Sequence, residues 1–131
     1  MKLTVSDDVL RLNPELESAR PISLNGRREY KSKLEVDYAA ELTARGLHWM
    51  YEPVTFHLPG GVSYTPDFVI LDHPMTFIEV KGSMHQKNAR DSRTRFKICA
   101  GLWPAFRWQW VTRVSGYWHE TEHPLPTQEA T

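Results

Sequence analysis

Two carboxylates and an amine sit close together in the middle of the chain, inside runs that are otherwise apolar and β-forming. Asp67 belongs to Tyr-Thr-Pro-Asp-Phe-Val-Ile over residues 64–70. Glu79 and Lys81 belong to Phe-Ile-Glu-Val-Lys-Gly over residues 77–82. Ionised groups rarely occupy such runs without a partner. Two neighbouring carboxylates repel each other and raise one pKa, and a shared divalent cation removes that repulsion. All-oxygen ligation favours Mg2+ or Mn2+ over zinc. Lys81 could then hold a phosphate or orient an attacking water. The chemistry such a set suits is metal-assisted hydrolysis of a phosphodiester.

A hairpin would bring the three groups together. If Asp67 faces Glu79, the pairing is symmetric about His73, and Asp72, His73 and Pro74 suit a turn. Alternation then puts Asp67, Val69, Leu71, Phe77, Glu79 and Lys81 on one face and Phe68, Ile70, Ile78 and Val80 on the other. Directly opposed residues have Cβ atoms about 5 Å apart, within joint reach of one cation. Apolar residues on both faces place the hairpin inside a sheet covered on both sides. An ordinary hairpin with an ion pair from Lys81 to either acid would use the same residues. The β-rich setting of the acids and the basic helix that follows favour the catalytic set.

Residues 32–45 read as a helix, with Leu34, Tyr38 and Leu42 as its apolar stripe and Gly46 as its stop. Residues 83–100 read as a second helix, in which Ala89, Arg93, Phe96 and Ala100 share a face. Lys87, Arg90, Arg93, Arg95 and Lys97 outnumber Asp91 there. This helix leaves the sheet just after Lys81, so its early part must lie near the acids. Lys87, Arg93, Arg95 and Lys97 are therefore the candidate contacts to the phosphates of bound DNA. Residues 48–58 read as one strand limited by Pro53, with Glu52 either a further acid near the site or, as the preferred reading, an exposed edge charge, and residues 62–71 as the next strand. Residues 106–111 read as a strand parallel to the Glu79 strand, with Trp108 and Trp110 in the core. Tyr117 and Trp118 could add a short edge piece. The polar residues 1–29, broken by Pro14, Pro21 and Gly26, read as a mobile arm, residues 30–118 as the domain, and residues 119–131 as a loose tail.

Composition narrows the alternatives. A chain of 131 residues suits one domain. Its formal net charge is zero, so any attraction for nucleic acid must be local. The lone Cys99 rules out an internal disulfide and fits a reducing, cytoplasmic setting, as does the lack of an apolar leader at the N-terminus. No run is long enough to span a membrane. The histidines lack zinc-site spacing. No serine-nucleophile elbow, Walker loop or dinucleotide glycine pattern occurs, so no nucleotide cofactor is expected.

Pro66-Asp67 followed by Glu79-Val80-Lys81 resembles the signature of the PD-(D/E)xK nuclease superfamily. With Tyr-Thr-Pro-Asp-Phe, Glu-Val-Lys-Gly and the upstream Ser32-Lys33-Leu34-Glu35, the chain is similar to phage endonuclease-I-type Holliday-junction resolvases and related small phage nucleases, over residues 30–113. The resemblance implies an α/β fold with a restriction-endonuclease-like αβββαβ core, a small mixed β-sheet flanked by the two helices. It implies a Mg2+-dependent DNA endonuclease, with Mn2+ as a substitute, in which Asp67, Glu79, the Val80 carbonyl and Glu35 hold metal and Lys81 is catalytic. It also implies a lysine or arginine of the second helix near the site, for which Arg93 and Lys97 are candidates. The implied substrate is branched DNA or a four-way junction in a bacterial host cytoplasm. Junction cutting needs two coordinated nicks, and hence a homodimer. Glu35 has a rival reading, because Ser32 to Glu35 is also a capping box in which Glu35 bonds back to the Ser32 amide. Two rival functions stand beside this one. One is a catalytically silent nuclease-like module that binds DNA or a protein partner, such as a nuclease inhibitor. The other is a restriction-type or end-directed nuclease.

Overall fold

The segment Thr-Phe-Ile-Glu-Val-Lys is a deeply set strand, with five of its six residues buried. In the computed structural model, which describes residues 22–25, 29–82 and 89–123, this strand lies in the middle of a five-stranded mixed sheet. The elements are β1 (Ile22–Leu24), α1 (Lys33–Ala44), β2 (Trp49–Tyr51), β3 (Val54–Leu58), β4 (Val62–Tyr64), β5 (Phe68–Ile70), β6 (Thr76–Lys81), α2 (Ala89–Leu102), β7 (Arg107–Val114) and β8 (Tyr117–His123). The large sheet has the order β2-β5-β6-β7-β8, and a three-stranded antiparallel sheet has the order β1-β3-β4. The architecture is α/β. No described helix is long and apolar enough to cross a membrane.

The β5–β6 hairpin has the register that the acids require. Phe68 pairs with Ile78 and Val69 with Phe77, so the same register carried one residue further opposes Asp67 to Glu79. The turn is tied to β2 through Asp72, whose Oδ2 accepts from the His48 amide at 2.7 Å. Side chains on the two faces of the hairpin enter separate cores. Phe68, Ile78 and Val80 pack under α1 with Tyr38, Leu42 and Val111. Val69 and Phe77 pack under α2 and the small sheet with Phe56, Phe96, Trp108 and Trp110. Trp108 and Trp110 are thus core residues, and β7 runs parallel to β6 with Trp110 beside Glu79.

Both long strands expected between residues 48 and 71 are split. Residues 48–58 form β2 and β3, which belong to different sheets, and residues 62–71 form β4 and β5, which also belong to different sheets. A proline marks each break, because Pro53 and Pro66 have no N–H to continue a ladder. At the first break Glu52 takes φ 41, a left-handed value that costs a non-glycine residue about 1–3 kcal/mol. The two crossings stand side by side, and the Glu52 amide donates to the Asp67 carbonyl at 2.7 Å. The chain is therefore βαβββββαββ among the described residues, longer than the expected αβββαβ order.

Both ends also carry more structure than expected. The segment read as an arm contains β1, which pairs with β3 through Ile22 and Phe56. The rest of that arm up to residue 21, with residues 26–28, lies outside the described residues. The expected edge piece at Tyr117 extends to His123 as β8, paired along β7. Its polar residues had suggested a tail. They belong instead to an edge strand held by backbone pairing and by ion pairs from Arg107 to Glu122 and from Arg45 to Glu120.

Candidate active site

One cleft of about 540 Å³ collects Glu35, Glu52, Asp67, Glu79, Lys81 and Arg95. β6 supplies Glu79 and Lys81 two residues apart on one face, with Lys81 Nζ 3.2 Å from Glu79 Oε2. The β4–β5 crossing supplies Asp67, whose Oδ2 accepts from the Val80 amide at 2.7 Å. The expectation that Asp67, Glu79 and Lys81 share one place therefore holds as geometry.

α1 supplies Glu35 from its first turn. Ser32 is the N-cap in extended conformation, and its Oγ accepts from the Glu35 amide at 3.2 Å. Glu35 is 6% exposed. It does not complete a capping box on the Ser32 amide. Oε1 accepts from the Ser32 hydroxyl at 3.0 Å, and Oε2 accepts from the Tyr51 hydroxyl at 2.9 Å. Gly46 ends the helix at φ 74, where a side chain would be strained.

Glu52 corrects an expectation. The preferred reading made it an exposed edge charge, yet it is 2% exposed and lies in the cleft, as the other reading had it, paired with Lys31 Nζ at 2.9 Å. It is buried because the break at Pro53 turns it inward, between the two sheets. Glu35, Glu52 and Asp67 each offer a carboxylate oxygen, all within 4.8 Å of one another, a spacing that could hold a metal ion. A glutamate just before a proline in an aromatic run was the available signal, and it supported the less favoured of the two readings, a further acid near the site.

The electrostatics show what this crowding costs. Burial pushes the Asp67 carboxyl well above the usual range, and the charges of Glu79 and Glu35 push it further, while the Val80 N–H opposes them. Burial also raises Glu79, against Lys81 and the hydrogen bonds from Tyr64 and Asp67. The Tyr64 phenol, buried and bonded to Glu79 Oε1, is raised well above its usual value by burial and then by the Glu79 and Asp67 charges. Carboxyl groups that resist ionisation in a cleft are a recognised mark of functional sites. A divalent cation would remove their cause of resistance, and oxygen ligands of this kind suit Mg2+ or Mn2+.

No family model, curated protein or solved structure matches this chain.

α2 meets the cleft with Arg95, one of the four expected cations, and not with Arg93 or Lys97, the pair that the resemblance implied. Ser92 and Arg95 line it. Arg93 instead lies over the Trp110 ring, its guanidinium carbon 5.4 Å from the centroid. Lys97 shares that side, because the charges of Arg93 and Lys97, after burial, lower the pKa of His123. The reason is helical pitch: residues four apart lie on one stripe, whereas Arg95 is rotated by about 200° from Arg93. Lys87 lies outside the described residues.

Proposed function

We propose that this chain is a Mg2+-dependent endonuclease with a restriction-endonuclease-like core, acting on branched DNA, with Mn2+ able to substitute. The observation that carries the reading is the convergence of Asp67, Glu79, Lys81 and Glu35 on one cleft. The donor set fits a hard cation, since Glu35 and Asp67 belong, with Glu52, to a group of carboxylates within 4.8 Å of one another, and Asp67 and Glu79 both resist ionisation without a counter-charge. Asp67, Glu79, Glu35 and the Val80 carbonyl would hold that cation. When bound, it would polarise the phosphate and ease formation of a hydroxide nucleophile at neutral pH.

The remaining work belongs to the chain itself. Lys81, half-buried beside Glu79, keeps its ammonium at the acids, where it can orient water and offset charge growing on phosphorus. Arg95 on the cleft wall is placed to meet a neighbouring phosphate. The hydrophobic cores on either side of β6 fix these groups on rigid elements. Branch selectivity, a homodimer and the host cytoplasm come from the resemblance and form the outer part of the proposal.

The test is one parallel digestion of linear, single-stranded, flapped and four-way DNA, with Mg2+ and with EDTA. We expect cation-dependent cutting that is fastest on branched forms. Asp67→Asn and Lys81→Ala should each lower the rate by at least about 100-fold, the scale of losing a general acid–base or charge-stabilising group. Equal rates on linear duplex would favour the restriction-type or end-directed reading. Tight DNA or protein binding with no cutting would favour the silent module.

A further inference from the structure

Two of the three glutamates of the cleft, Glu35 and Glu79, are each held by a buried tyrosine, and the two tyrosines come from different sheets. Tyr51 of β2 accepts from the Lys31 amide at 3.1 Å and donates to Glu35 Oε2 at 2.9 Å. Tyr64 of β4 donates to Glu79 Oε1. Asp67 has its own holder, the Val80 amide. We propose that Tyr51 and Tyr64 are positioning residues that orient Glu35 and Glu79 for a divalent cation, each through one carboxylate oxygen. This inference rests on the metal-nuclease reading.

Three observations separate orientation from mere satisfaction of a buried hydroxyl. First, the donor direction suits a bound cation, since a carboxylate ionised against that cation can only accept, and each hydroxyl donates to one carboxylate oxygen. Second, the fold does not need every buried tyrosine paired. Tyr38 is fully buried, and its hydroxyl has no hydrogen-bond partner. Third, the pairing follows the acids and not the sheets. β2 and β4 belong to different sheets, yet each delivers a hydroxyl to a glutamate of the same cleft. A carboxylate oxygen that accepts one hydrogen bond has a second lone pair for a metal. Holding one oxygen also fixes the rotation of the whole group, as outer hydrogen bonds do at metal sites in general.

The test compares Tyr64→Phe, Tyr51→Phe and the control Tyr38→Phe with the parent chain. Mn2+ binding is measured by calorimetric titration without DNA, alongside the Mg2+ midpoint for cleavage and the melting temperature in EDTA. The expected result is Mn2+ binding about 10–100-fold weaker in the Tyr64 and Tyr51 variants, the usual cost of losing an outer-shell partner. The Mg2+ midpoint should rise by the same factor, and Tyr38→Phe should change neither quantity. Parent-like Mn2+ affinity in both variants would overturn the inference, whatever their melting temperatures. If Tyr64→Phe does not fold, Tyr51→Phe on the other sheet makes the same comparison. A parent chain that binds Mn2+ and cuts DNA while both variants match it overturns this inference alone. A parent that does neither overturns the nuclease reading with it.

Discussion

Asp67 is where function and stability pull in opposite directions. Its carboxyl is raised well above its usual value by burial and by Glu79, so the folded chain binds that proton more tightly than the unfolded chain does. Between the unfolded pKa, about 3.9, and the raised folded value, stability falls as pH rises. Asn at this position keeps an oxygen for the Val80 amide and removes the charge. Asp67→Asn should therefore melt higher than the parent in EDTA at pH 7–8, while losing cleavage. A gain of about 1 kcal/mol would read as roughly 2–8 °C in a domain of this size. The gap should close as pH falls towards about 4, where Asp67 is protonated in both states. Melting curves over that range decide it, and a variant less stable than the parent at every pH would show that the acid is not strained. Glu35 and Glu52 carry a related lesson about single residues. Ser32-Lys33-Leu34-Glu35 was legible as a helix start, but not which donors the carboxylate would choose, because Tyr51 lies sixteen positions away.

At the scale of elements, the β5–β6 hairpin was the most legible part of the chain. Its register follows from a turn at His73 and alternating apolar residues, and both signals are local. The α1 stripe of Leu34, Tyr38 and Leu42 was legible for the same reason. The exchange of strands between sheets was not, since Trp49-Met50-Tyr51 and Val54-Thr55-Phe56 look alike until Pro53 decides where the ladder breaks. The register of α2 was not legible either, because its cations surround the helix and only packing of Phe96, Cys99 and Ala100 fixes which ones meet the cleft. That register makes a prediction. Arg95→Ala should weaken DNA binding and lower kcat/KM about 10-fold or more, and should flatten the salt dependence of binding by about one phosphate contact. Arg93→Ala and Lys97→Ala should leave cleavage within about 3-fold. For Arg93→Ala the loss should appear mainly as stability, about 0.5–1 kcal/mol for a cation–π contact at an accessible site. Binding isotherms at several salt concentrations separate these outcomes, and equal losses from all three would mean that the phosphates span the whole helix.

Across the whole molecule, the cleft is the place where otherwise separate parts meet. Glu35 comes from α1, Glu52 from the β2–β3 crossing, Asp67 from the β4–β5 crossing and Glu79 from β6. A cation held by several of them would tie a helix and both sheets together, whereas β7 and β8 lie on the far side of β6 with their own pairing. Cation binding should thus stabilise the fold unevenly. Openings that separate the acids become rarer by the ratio of cation concentration to Kd, about 2.7 kcal/mol or 100-fold at 100 times Kd. Local fraying of the outer strand leaves the site intact and gains nothing. Hydrogen exchange with and without Mg2+ should therefore slow most at the Glu52 and Val80 amides, which bond to the Asp67 carbonyl and carboxylate, and least along β8. In Asp67→Asn the Mg2+ effect should vanish at both amides. Uniform protection of β8 and the cleft would mean that a cation acts only through global unfolding. No protection at Glu52 and Val80 would mean that the acids do not hold a cation together.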